Sequence, residues 1–369
     1  SPYYPQYSSY VGILHPVPWI IINSGEYPDG FDVDTYHADM RYNFSSSIID
    51  WHNDYDLPVG SGLYDLYTTV LHEMTHALGF VSAFNNEFIA NFVGVYYADS
   101  SATGVVDALI AGNDFAVYAS TDTLKPPFPG QKALPEGLPE HNGYPLAGMY
   151  INQHASVFSS TDNSFNRLAS GIVLLGNTAT VEDNGFFDMD AHAGEYQSYA
   201  YAGHALNAQG NGAGMLSAID NEIKNCSHGI VSNQLSLEAR DNMIDTVSFG
   251  IQAELPSFGF VEIGESGTAI SNTIKAARIG VQVRAFDQNA TVNIQRNSIS
   301  TYSAGATAAL EMGINLASTT VEDNLITVAQ AGSGISTLWV NNSSFLDNTI
   351  TLLDPASAEA GMHFVFTRN

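Results

Sequence analysis

At 369 residues and 45% hydrophobic, the chain is long and apolar enough to fill the cores of two domains, which argues against a disordered polypeptide. Its charge is one-sided, 38 acidic against 11 basic side chains for a net −27; such a surface repels phosphate backbones and anionic lipid and suits a salty medium that screens self-repulsion. The single cysteine, Cys226, excludes an intramolecular disulfide and a cysteine-rich metal site, and no apolar run approaches the ~20 residues that span a bilayer.

The chain opens Ser1-Pro2 with no recognisable signal peptide, as expected of a trimmed portion of a larger precursor. Val17 to Asn23, with Trp19-Ile20-Ile21-Ile22 at its centre, reads as a buried strand. Met40, Tyr42 and Phe44 alternate with polar neighbours, as in a half-buried one. Between them Phe31-Asp32-Val33-Asp34, His37 and Asp39 offer carboxylates for Ca2+, but the twelve-residue EF-hand spacing is missing and a solvated acidic loop is the simpler reading.

From about Leu63 to Leu78 the pattern is helical. Leu66, Val70, Met74 and Leu78 recur every four positions as one apolar stripe, and Gly79 follows at the C-terminal cap position. On such a helix His72 and His76 lie one turn apart on a face of their own, so both imidazoles can reach one metal ion. Glu73, beside the first of them, is placed to act on a metal-bound water as general base.

The run His72-Glu73-Met74-Thr75-His76-Ala77-Leu78-Gly79-Phe80 resembles the active-site helix of metzincin zinc peptidases. Ser82 occupies the place where the common metzincin pattern has its third histidine, which excludes the astacin-like and reprolysin-like forms. A long insertion before the third ligand is instead similar to leishmanolysin-like metzincins, of a secreted bacterial type without the cysteine framework. The resemblance covers about residues 15 to 155 and implies an α+β zinc peptidase domain.

Residues 121 to 149 form a connection rich in proline. It contains His141, the leading candidate for third zinc ligand; His154 and a carboxylate such as Glu140 are the alternatives. Met149, eight residues after His141, is suitably placed for the Met-containing turn that the resemblance implies beneath the zinc; ordinary core filling is the competing reading.

From about residue 172 a phrase recurs: Val181-Glu-Asp-Asn184, Ile219-Asp-Asn221-Glu-Ile223, Asn242-Met-Ile244, Asn272-Thr-Ile274, Asn297-Ser-Ile299, Asn324-Leu-Ile326 and Asn348-Thr-Ile350. From Asn221 on, the asparagines stand 21, 30, 25, 27 and 24 residues apart. Glycine followed by an apolar residue falls between them, at Gly229-Ile230, Gly250-Ile251, Gly280-Val281, Gly313-Ile314, Gly334-Ile335 and Gly361-Met362. Short β-branched runs broken by Asn and Gly at this period predict stacked coils with Asn side chains bonded from rung to rung. They resemble the pectate-lyase-like right-handed parallel β-helix. The histidines within the repeats read as surface or packing residues.

The expected organisation is therefore a metzincin-like zinc metallopeptidase domain over 1–165 followed by a right-handed parallel β-helix over 166–369. The expected activity is that of a secreted, zinc-dependent metalloendopeptidase acting on protein or peptide, with the repeats binding substrate, extracellular polysaccharide or a cell surface. The competing reading is a β-helix polysaccharide-binding or polysaccharide-degrading protein or adhesin with a secondary or degenerate peptidase module.

Overall fold

The computed structural model describes residues 51–52, 64–65, 81–84, 87–89, 93–98, 108–116, 147–152, 157–176, 178–189, 201–255, 259–265, 267, 269–285, 290–316, 318–340 and 342–365. They are all-β: parallel strands wind through three faces in turn and return one rung further along, in the manner of a parallel β-helix. The first face is a ten-stranded parallel sheet running from Val81–Phe84 through Val157–Thr161 and Ser236–Arg240 to Ser343–Leu346. The second and third faces merge into one 18-stranded sheet, because Met243–Leu255 and Thr273–Ala285, 13 residues each, run through both. Trp51–His52 pairs with Tyr64–Asp65 in a separate two-stranded parallel sheet.

One corner recurs from rung to rung. As a first-face strand ends, one residue takes a left-handed conformation and an asparagine follows, as at Asp162 (φ 54°) before Asn163, Asp183 (φ 55°) before Asn184, Asp220 (φ 53°) before Asn221 and Asp323 (φ 55°) before Asn324; after Phe260–Ile263 the left-handed residue is Gly264 (φ 85°) and a longer connection leads to Asn272. Aspartate tolerates this conformation better than most residues because its short side chain can bond locally. The asparagine turns inward and is buried, 1% exposed at Asn184, Asn221 and Asn242. Its Nδ2 donates to the Oδ1 of the next asparagine along the column: Asn113 to Asn163 (2.9 Å), Asn163 to Asn184 (3.0 Å), Asn184 to Asn221 (3.2 Å), Asn221 to Asn242 (3.0 Å), Asn242 to Asn272 (2.9 Å), Asn272 to Asn297 (2.8 Å), Asn297 to Asn324 (3.0 Å) and Asn324 to Asn348 (2.9 Å). The same Nδ2 also donates back to a main-chain carbonyl of the preceding rung, as Asn242 does to Ala218 at 2.9 Å.

The interior is a set of columns. Second-face position two is Phe115, Phe165 and Phe186, then isoleucine from Ile223 to Ile350. The three phenyl rings stack face to face, centroids 4.8 Å apart and planes 5° from parallel, which is the rung spacing of a sheet. Glycine on the third face answers this column. A Cβ on Gly171 would stand 2.5 Å from the Phe186 ring and 2.4 Å from the Ala205 carbonyl; one on Gly250 would stand 2.5 Å from Ile274 Cγ2. At Gly229, Gly250, Gly280 and Gly334 the recurrent Gly-apolar phrase is thus a packing requirement, whereas a Cβ on Gly361 would meet nothing within 4 Å. Gly313 lies out of register: it pairs with Arg284 and Leu338, and Ala309-Leu310 fills the phrase's place in that rung.

Two observations bear on the organisation expected for the first part of the chain. Parallel ladders pair strands from Val81 onward, and residues 165 and 166, on either side of the expected border, both lie inside the strand Ser164–Asn166. The described residues include no α-helix, and Tyr64 and Asp65, near the start of the expected Leu63–Leu78 helix, form a strand; the rest of that segment, and the strands expected at 17–23 and 40–44, lie outside the described residues. The sequence reading missed Asn113 and Asn163 because their phrases, Gly112-Asn113-Asp114-Phe115 and Asp162-Asn163-Ser164-Phe165, carry Phe where later rungs carry Ile.

Asn242→Ala removes one rung of the carboxamide column and strands main-chain and side-chain groups on both sides. A loss of about 1–3 kcal/mol is expected in urea denaturation, and a wild-type midpoint would show that the column does not stabilise the coil. Gly171→Ala sets a methyl against a carbonyl as well as a ring, so its thermal midpoint should fall by several degrees; an unchanged midpoint would contradict the packing.

Candidate functional site

His72, Glu73, His76, His141 and the alternative ligand His154 all lie outside the described residues. Chemically, two imidazoles spaced four apart with a third imidazole form a nitrogen-rich set of the kind Zn2+ takes while keeping one position open. Met149 is described: it lies within the strand Ala147–Asn152, fully buried, between Val95 and Ile172 in an interior column of the third face. Its surroundings are those of a core residue in a strand rather than a turn. Among the described residues no group of three or more His, Cys, Asp or Glu side chains is arranged to hold a metal ion, and no helix is long and apolar enough to cross a membrane.

What the coil does assemble is a column on its third face. His204, His228 and Phe249 are register partners on successive rungs. The imidazoles stack with centroids 4.1 Å apart, and the Phe249 ring follows at 4.8 Å from His228. The Arg278 guanidinium lies over Phe249 at 5.3 Å, and Tyr201 meets His204 edge-on at 6.5 Å. Asn207 Nδ2 bonds His204 Nδ1 at 2.9 Å, which makes that nitrogen the acceptor and leaves the proton on Nε2. On the next rung Val231 stands where Asn207 stands, and His228 Nδ1 is buried with no hydrogen-bond partner among the described residues. Burial, then the charge of His228, pushes His204 down to about 3; burial pushes His228 down to about 4. Burial also raises the Tyr201 hydroxyl, against the opposing effect of its bond to Gln209.

Two further arrangements lie along the coil. Gln252 Nε2 donates to Gln282 Oε1 at 2.8 Å, Gln282 Nε2 to Glu311 Oε1 at 2.8 Å, and Arg284 pairs with that same oxygen at 3.2 Å, a polar strip across three strands of the third face. At the asparagine corner Asp183, Asp220 and Asp241 follow one another on adjacent rungs. Burial first, then the charges of Asp241 and Asp183, raises the Asp220 carboxyl, with Arg240 opposing.

No protein-family model, no curated protein and no solved structure matches the chain. Its functional reading therefore rests on its own residues.

The aspartate corner yields a direct expectation. Asp183→Asn keeps a residue that tolerates the left-handed turn and removes one of the like charges beside Asp220, so the thermal midpoint should rise slightly at low ionic strength and return to wild type in ~1 M salt, where the screening length is about 3 Å. A lower midpoint at low salt would mean that the Asp183 carboxylate supports the turn.

Proposed function

We propose that this chain is a secreted zinc-dependent metalloendopeptidase whose coil, wound right-handed as parallel crossovers almost always are, carries substrate or attaches to a surface. The single observation behind the reading is the run His72-Glu73-Met74-Thr75-His76 continued by Ala77-Leu78-Gly79-Phe80, a spacing of metal-ligating and proton-accepting residue types that has a mechanism attached to it.

In this reading His72 and His76 hold the ion with His141, or with His154 in its place. Zinc bound there would supply a water of lowered pKa, toward ~7, and a Lewis acid for a peptide carbonyl. Glu73 would accept the proton from the attacking water and return it to the departing amine, so that one carboxylate would serve both halves of the hydrolysis. The acidic surface keeps the protein soluble and disfavours anionic partners.

A second reading has one observation in its favour. The Gln252–Gln282–Glu311–Arg284 strip sets amides, a carboxylate and a guanidinium along successive rungs, a pattern suited to hydrogen-bonding an extended polar chain such as a polysaccharide. Reducing-sugar release from pectin or alginate that persists with a chelator present would favour it.

Glu73→Gln removes the proton acceptor and keeps the ligands. About one zinc per chain should be retained by metal analysis, with casein cleavage lost by at least about a hundredfold, the usual range for a general base. Wild-type cleavage by this variant would sink the assigned role, and a wild-type protein that binds no zinc would sink the peptidase reading itself.

A further inference from the structure

We propose that the stacked His204–His228 pair is an acid-sensitive joint in the coil, closed at neutral pH and opening locally in mild acid while the rungs further along stay closed. The geometry carries this. The nitrogen of His204 that would take a proton already accepts from Asn207, so protonation must break that bond, set donor against donor, or turn over the Asn207 amide, whose Oδ1 has no partner among the described residues. The corresponding nitrogen of His228 is buried and has no partner among the described residues, so a proton there would create a cationic donor with none of them placed to receive it. The two rings lie 4.1 Å apart, so a charge on one faces the other directly.

No anionic group among the described residues compensates a charge on the pair. Tyr201 meets His204 by its ring edge, Phe249 closes the far side of His228, and the charged group beyond it, Arg278, is a cation. Ser170 and Ile279, the register neighbours at the two ends of the column, carry no charge. Among the described residues no carboxylate acts on either imidazole.

The sign follows from proton counting. Both rings are held below their ordinary value, so the closed state binds fewer protons than the open one. The stability they permit is fully present above about pH 6.5 and is lost as the pH falls toward their folded values. Ladder contacts reach only adjacent rungs, so an opening at this column need not spread to distant ones. The device is independent of the peptidase reading and would confine the closed coil to near-neutral surroundings.

The test is peptide-resolved hydrogen exchange on the full chain at about pH 7.5 and pH 5.5, corrected for intrinsic rates. Opening of 204–209 and 228–233 should increase on the order of a hundredfold at the lower pH, where each of two rings contributes up to about tenfold per pH unit, while 318–322 and 325–328 change little. His228→Phe keeps a ring in the stack and His204→Gln keeps an acceptor for Asn207; each should cut the increase to about tenfold. Imidazole C2–H exchange in the unmodified protein reads the same groups without any substitution, and both midpoints should lie well under 5.5. Equal opening at the two pH values, an undiminished increase in both variants, or a midpoint near 6.5 for either ring in the folded protein would overturn the proposal.

Discussion

A carboxamide is both donor and acceptor, and the coil is organised around that property. At the corner between first and second faces each asparagine accepts from the rung before it and donates to the rung after it, with Nδ2···Oδ1 separations of 2.8–3.2 Å from Asn113 to Asn348. Aspartate would bring charge into a buried column, and leucine would leave main-chain groups of two rungs without partners. Chains of such bonds polarise one another, so the column behaves as a continuous axis on which the strands are hung. The left-handed residue directly before most of these asparagines, Asn272 excepted, is part of the same device, since it turns the chain sharply enough for the side chain to point inward.

The remaining constraint is steric and lies across the interior from that axis. Where the second face carries Phe115, Phe165 and Phe186, the third face has Gly94, Gly148 and Gly171, because a ring occupies the space a Cβ would need. When the column changes to isoleucine the glycine requirement persists at Gly250 and Gly280, and it is relaxed to alanine at Ala205 and Ala309. The rungs nearer the N-terminus are therefore held by face-to-face aromatic stacking and the later ones by branched aliphatics, on one backbone path. Met149 takes its character from this arrangement: behind Gly148, it continues a line of apolar side chains that includes Val95 and Ile172.

Functional chemistry and scaffold call for different things from the sequence. The scaffold tolerates many surface residues as long as the inward columns are kept, and its outer faces carry the aspartate corner, the Gln252–Glu311 strip and the imidazole stack. Of these, the stack sets imidazoles, which titrate near neutral pH in water, where burial holds them well below that range. The His72-Glu73-Met74-Thr75-His76 run, on which the proposed zinc chemistry rests, is a different kind of pattern, carried by residue types at a local spacing.

The sequence by itself determined the repeat, its asparagine and isoleucine positions, and the His72-to-His76 run on which the proposed zinc chemistry rests, because these are local: a period, a spacing, a side chain's chemistry. It hid the two early rungs, whose phrases carry Phe in place of Ile, and it showed the repeat only from about residue 172 although the ladders pair strands before it. Only the tertiary structure decided which glycines face the column, that Gly313 falls outside it, and that His204 and His228, 24 residues apart in the chain, lie ring on ring. These facts depend on the register between rungs. Register is set by the length of every intervening loop and by packing across the whole coil, and no window of sequence short enough to show a motif contains it.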